Sequence, residues 1–437
     1  MANNIFNAET QRRREYKIRK TKTLFTNRLR LSLRLCVSAF IFFVCILSAE
    51  AQIAVRGEQV WTMTANEPIR DGVVLINNGK IERVGAASSV QIPANYRVIN
   101  AKVVTPGLID ARTVVGIAGY LAQPHDQMQV ETSAPMQPEL RAIDAYNPEE
   151  KLIEWLRSFG VTTIHTGHGT GVAVSGQTMV AKTVGKTADE AAIVPMAMIA
   201  ATLGDSSLFS GGRAPGTRAK QIAMLRAELL KATDYNRRVD DAKGDAAKMP
   251  TRELRTEMFG RVLRREIPIL ITVHRHQDIV TAIRLGKEFN LRLVLDGVSE
   301  AQRVLPEIKA SGYPVLVHPT MFRASGETEK MSMETASKLK QAGIQFALQS
   351  GFEAYVPKTR VVLLEAGMAA ANGLSQRDAL ASITIDAAQI LGIQARVGSL
   401  AAGKDADLAL YDGDPFEFTT HCVGTIINGN VVSEVVR

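Results

Sequence analysis

PILITVHRHQDIVTAIRLGKEFNLRLVLD, residues 268–296, reads as a strand, a helix and a second strand. PILITV and RLVLD are short, β-branched apolar runs, whereas Ile279, Ala282, Ile283, Gly286 and Phe289 recur at spacings of three and four, the mark of one buried helix face over 278–289. Asn290 then supplies a natural left-handed terminator. Two strands joined through a helix make a βαβ unit, and such units imply a parallel sheet.

Outward from this unit the same alternation runs from Thr105 to about Ile393. GLID, VTTIH, AIVPMAMIA, PVLVH and IQFALQ are further strand candidates, with helices expected over 219–233 and 300–310. Seven or eight strands in roughly 290 residues suit an α/β chain folded as a (β/α)8 TIM-like barrel, whose usual size is about 250 residues. A doubly wound open sheet is the alternative. GTGVAVSG, residues 169–176, is the nearest approach to a dinucleotide-binding turn, but it lacks the spacing and reads as a loop.

Both ends of the chain have another texture. Asn78-Gly79 between VVLIN and KIERV, and Asn428-Gly429 near the other end, are two-residue hairpin signals, because both central residues of such a turn need positive φ. A small β-sandwich built from residues 52–104 and 398–437, bracketing a barrel over 105–397, is the economical reading.

The 437 residues carry a formal net charge of +8, but ten of the 52 Lys and Arg, against three of the 44 acids, fall within residues 1–51. The rest is nearly neutral, which removes any electrostatic footprint for nucleic acid. Residues 1–51 combine that basic stretch with the apolar run LCVSAFIFFVCIL and then Ala49-Glu50-Ala51, the pattern of a signal peptide cleaved after Ala51. At about 13 residues the run is shorter than the roughly 20 a membrane-spanning helix needs. Export to a periplasmic or extracellular location is therefore expected, with no stable membrane span after cleavage. Cys36 and Cys45 leave with the leader, so Cys422 is alone in the mature chain and reads as a small buried hydrophobe.

DGVVLINNGKIERVGA and VVTPGLIDAR at the front, with VGSLAAGKDADLALYDGDP at the back, resemble the amidohydrolase superfamily over about residues 53–432. PGTRAKQIAMLRAELLKATDY, residues 215–235, is similar to an exported, imidazolonepropionase-like subgroup. The resemblance implies a barrel with a composite metal-dependent hydrolase domain, and hydrolysis of carbon-nitrogen bonds in cyclic amides, ureas or peptide-like substrates. It also implies a divalent metal, zinc or manganese, at the carboxyl ends of the barrel strands. There the metal would activate water and polarise the carbonyl under attack. The family pattern is His-x-His on strand one, a carboxylated Lys or an acid on strand four, a His each on strands five and six, and an Asp on strand eight.

This chain departs from that pattern. After PGLID, Arg112 and Val114 stand where the two histidines are expected, and a guanidinium has no lone pair to give a metal. On strand five Thr272 takes the ligand position and His274 follows one side-chain period later. Asp296 replaces the strand-six His, and the Ser350-Gly351 region replaces the strand-eight Asp, with Glu353 nearby. Lys182 is the sole carbamate candidate; His165 and His168, flanking Gly167 after VTTI, are spaced for a shared ligand. His318 ends the strand PVLVH, whereas His125 and His421 have no constellation around them.

Three functions follow from these residues. One is a non-catalytic or altered relative that keeps the fold without the metal, binds a small-molecule or peptide-like ligand and forms a homodimer or pairs with an active homologue; no cofactor is then expected. Another is an active hydrolase with a metal site rebuilt from Lys182, His274, His165, His168 and Asp296. A metal-free activity is a third, in which Arg112 anchors a substrate carboxylate or phosphate. In that case Asp296 and Arg112 are the catalytic candidates. The opposing reading has Arg112 fill the vacant site and pair with Asp296 or Glu353.

Overall fold

The computed structural model describes residues 52–352 and 361–437. The expected leader over 1–51, with its expected cleavage site, and Glu353 lie outside the described residues. The described chain opens with four strands, β1 (Ile53–Val60), β2 (Ile69–Asn77), β3 (Lys80–Ala86) and β4 (Arg97–Pro106). The central strands are β5 (Leu108–Thr113), β6 (Val161–Gly167), β7 (Val174–Lys182), β8 (Ala192–Val194), β9 (Ile199–Thr202), β10 (Ile269–Val273), β11 (Leu293–Gly297), β12 (Val315–Val317) and β13 (Phe346–Ala347). Three more close the chain: β14 (Leu408–Tyr411), β15 (Cys422–Ile427) and β16 (Asn430–Ser433).

Both chain ends build one seven-stranded sheet, in the order β16-β15-β14-β4-β1-β2-β3. The seam is β4 against β14, antiparallel, with Leu408 opposite Pro106 and Tyr411 opposite Val103. Both expected hairpins are present, with φ of +49° and +73° at Asn78-Gly79 and +49° and +76° at Asn428-Gly429. The two turns touch: Ala406 N–H donates to Gly79 O and Gly429 N–H to Ala406 O. Cys422 is buried and unpaired on β15.

The second sheet runs β13-β12-β11-β10-β9-β7-β6-β5 and curls into a barrel. Its two edges meet where Ala111 N–H donates to Leu348 O and Gly351 N–H to Arg112 O at 3.1 Å. The helix expected over 278–289 spans His276–Glu288, and Asn290 adopts φ +51°. The helix expected over 219–233 runs further, from Arg218 to Ala242.

One strand was not legible. GTGVAVSG is not wholly a loop: its last residues open β7, which is antiparallel to both β6 and β9. Only residues 168–173 separate β6 from β7, too few for the crossover that a parallel neighbour requires. This reversal moves Lys182 to the end of the barrel where the parallel strands begin, opposite Thr163 of β6. Its Nζ lies 2.8 and 2.7 Å from the two Asp407 carboxylate oxygens, 2.9 Å from Asp405 Oδ2 and 2.7 Å from Asn428 Oδ1. The carbamate assignment for Lys182 is thereby corrected: its amine is held among acids of the terminal sheet.

Alternate residues on a strand share a face. On the inner face Leu270, Val294, Leu316 and Ala347 belong to one buried cluster, closed below by Ala387 and Leu391 of the helix Ile385–Leu391. Two residues further along each strand that face turns polar, at Thr272, Asp296, His318 and Gln349. The barrel is thus dry at its base and polar at its mouth. Among the described residues no helix is long and apolar enough to cross a membrane.

Candidate active site

The mouth holds a cavity of about 400 Å³. β5 contributes Arg112 and Thr113 to its lining, β10 and the residue after it Thr272 and His274, and β11 Asp296 and Gly297. His318 and Pro319 follow β12, Gln349 follows β13, and Val114, Val130, Phe322 and Phe352 add apolar wall. A concave site that combines apolar wall with convergent polar groups is the usual form of a small-molecule pocket.

Arg112 is 6% exposed. Its guanidinium donates to Thr113 O at 3.2 Å and to His168 O. Burial lowers its pKa, while the charges of Asp296 and Asp110 raise it. Asp296 does not pair with it directly: one Asp296 oxygen accepts from the Thr272 hydroxyl at 2.6 Å and the other from Gln349 Nε2 at 2.5 Å. The ion pair with Asp296 considered from sequence is therefore corrected to a through-space interaction. Thr272 and Asp296 are register partners on β10 and β11, which explains their contact.

Asp110 sits below Arg112 and faces the closing strand instead. Its Oδ1 accepts from Ser350 N–H at 3.0 Å and Arg112 N–H at 3.2 Å, and the Ser350 hydroxyl donates to Oδ2. Burial pushes this carboxyl up to about 6, against the pull of those donors. The Ser350-Gly351 segment thus works as a closure of the barrel.

The four histidines near the mouth divide. His274 lines the cavity and its Nδ1 meets Ser299 Oγ at 2.9 Å. His318 also lines it, with Nδ1 donating to Pro319 O at 2.8 Å and Nε2 3.1 Å from Thr335 Oγ1. His165 is wholly buried and ties three strands: Nδ1 donates to Ala111 O at 2.7 Å, and the Thr178 hydroxyl lies 2.6 Å from Nε2. His168 packs its ring against Gly176, where a Cβ would collide with it. A ligand shared by His165 and His168 is therefore corrected, since neither ring lines the cavity.

Burial sets the charge of these rings. It lowers His165 to about 3, with help from the Arg112 charge, and His168 to about 4 by the same two causes. Burial and the neighbouring His318 hold His274 at about 4, and burial lowers His318 as well. At neutral pH all four are neutral. Among the described residues the cavity lining then carries one cation, Arg112, one carboxylate, Asp296, and neutral imidazoles.

Arg112, His274, Asp296 and His318, all noted in the sequence, come together; Lys182, His165 and His168 do not join them. Thr272 and Gln349 were missed as the partners of Asp296. Thr272 had a signal, since it occupied the expected ligand position on strand five, but Gln349 had none. Among the described residues no group of three or more His, Cys, Asp or Glu is placed to hold a metal ion.

The comparisons with known proteins agree with this architecture. A model described as the Amidohydrolase family matches residues 338–433. The chain is 23% identical over 404 residues to amidohydrolase tasK of Hapsidospora irregularis, covering 83% of this chain and 41% of that protein. It thus spans about two-fifths of that relative's length. It is 22% identical over 368 residues to the imidazolonepropionase of Rhizobium rhizogenes, covering 79% of this chain and 88% of that one. The solved structure of an amidohydrolase from Thermotoga maritima superposes with a TM-score of 0.80 at 28% identity, over 88% of this chain and all of that one. By its barrel, its terminal sheet and these relatives, the chain belongs to the amidohydrolase superfamily as an imidazolonepropionase-like member.

Proposed function

We propose that this protein is an exported, non-catalytic amidohydrolase relative whose cavity binds a small organic carboxylate. The observation that carries the reading is Arg112, a buried guanidinium lining the cavity with no carboxylate bonded to it among the described residues. A buried cation without a paired anion is unfavourable, and a ligand carboxylate is the group that would complete it.

The metal of the family does not fit this donor set. Arg112 has no lone pair and would repel a dication, and Val114 offers only methyl groups. His274, His318 and Asp296 remain, but both His318 ring nitrogens are taken by Pro319 O and Thr335 Oγ1, and among the described residues the three do not converge as the roughly three ligands of a catalytic site must. No hydrolytic step is therefore assigned to the cavity, and export rests on the composition of residues 1–51.

The test compares 4-methylpentanoate with its amide by thermal shift. A ligand at 100 times its Kd stabilises the folded state by about 2.7 kcal/mol. The carboxylate should raise the unfolding midpoint, the amide should not, and Arg112→Met should abolish the response. Equal responses to both compounds would contradict the proposal.

A further inference from the structure

Arg112 and Asp296 line the same cavity, are 6% and 5% exposed, and carry opposite charge, yet they do not touch. Each is instead held by its own neighbours. Arg112 spends its donors on the Thr113 and His168 carbonyls of β5 and of the turn after β6. Asp296 is fixed by Thr272 of β10 and by Gln349, whose Nε2 also reaches Leu316 O at 3.3 Å. These hydrogen-bond partners are all neutral, so the two charges and that of Asp110 act on one another only through space.

Two buried opposite charges would ordinarily collapse into a pair, because their attraction strengthens as water is removed. Here the barrel holds them on different strands across the cavity and keeps them separate. Each carboxylate oxygen of Asp296 accepts one hydrogen bond, which leaves acceptor capacity facing the cavity. The guanidinium likewise has more N–H groups than the two carbonyls take up. The same lining includes the apolar side chains of Val114, Val130, Pro319, Phe322 and Phe352.

We infer that the cavity recognises a small zwitterion with an apolar side chain, an amino acid of the leucine or phenylalanine type, with its carboxylate on Arg112 and its ammonium on Asp296. This rests on the carboxylate-binding reading above and adds a second charged contact to it. The neutral His274 ring, whose Nδ1 meets Ser299, can accept from the ammonium through Nε2, and the neutral His318 ring beside it does not repel that charge. An imidazolium in either place would oppose an ammonium group.

Titration calorimetry with L-leucine, N-acetyl-L-leucine, L-leucinamide and 4-methylpentanoate separates the contributions. L-leucine should bind at least about tenfold more tightly than each analogue with one charge removed, as expected for the loss of a charge-assisted contact. Asp296→Asn should erase the difference between L-leucine and N-acetyl-L-leucine, and Arg112→Met should remove binding of both. The analogue series on the unaltered protein decides the matter even where a variant fails to fold. If N-acetyl-L-leucine or 4-methylpentanoate binds as tightly as L-leucine, the zwitterion inference is overturned while carboxylate binding stands. If none of the four binds, both are overturned.

Discussion

Lys182 Nζ lies 2.8 and 2.7 Å from the two carboxylate oxygens of Asp407, a buried ion pair that ties barrel strand β7 to the entry of β14 in the terminal sheet. Asp405 shares the lysine but also meets Lys80 at 2.6 Å and Arg396 at 2.8 Å. Among the described residues Asp407 has no other cation. Removing Lys182 therefore leaves Asp407 as a buried charge without compensation.

Lys182→Met should cost about 3–5 kcal/mol of folding stability, the usual penalty for breaking a buried pair on one side. Urea unfolding would measure it. Ligand binding at the barrel mouth should survive under conditions where the variant remains folded. A stable Lys182→Met protein that lost ligand binding would return the lysine to the functional site.

The contact between the two hairpins makes a second prediction. Gly429 has φ +76°, and a Cβ there would lie 2.9 Å from Gly79 Cα. Gly429→Ala should destabilise by about 1–3 kcal/mol through backbone strain and crowding. A midpoint unchanged by the substitution would show that the two turns are free to separate.

Acid should unfold the protein early. His165 is held at about 3 and His168 and His274 at about 4, with His318 also lowered, whereas an unfolded histidine titrates near ~6.5. Between those values the unfolded chain binds protons that the folded one refuses, so stability falls as pH drops from about 6.5 toward about 4. Asp110 acts in the opposite sense. Its folded value of about 6 exceeds the usual ~3.9, so the folded state takes up one proton over much of that window and gains stability as pH falls. Glu327, Asp386 and Asp407, also raised by burial, act with Asp110, whereas Asp405 and Glu300, lowered by their cationic or hydrogen-bonded partners, act with the four imidazoles, which set the direction. Urea midpoints measured from pH 7 to pH 4 should decline, more shallowly in His165→Gln and more steeply in Asp110→Asn. A profile that rises toward acid would contradict the assignment.

The barrel was legible because its strands are apolar runs and its helices show one buried face; residues 268–296 contain both signals within a single unit. β7 was not, since its reversal follows from a short glycine-bearing turn and the pattern of apolar residues does not encode strand direction. The mouth was legible where a motif fixed the register, as VVTPGLIDAR did for Arg112. It was obscure where a partner came from a distant strand, as Gln349 does for Asp296. Lys182 was misassigned for the related reason that a strand's direction decides which end of the barrel its last residue reaches.

Metal content tests the account most directly. The protein should be expressed with added zinc and manganese, purified without chelators and measured by elemental analysis. An Arg112-filled cavity predicts far less than one atom of either metal per chain, unchanged in His274→Ala and Asp296→Asn. Close to one atom per chain, lost in those two variants, would contradict it.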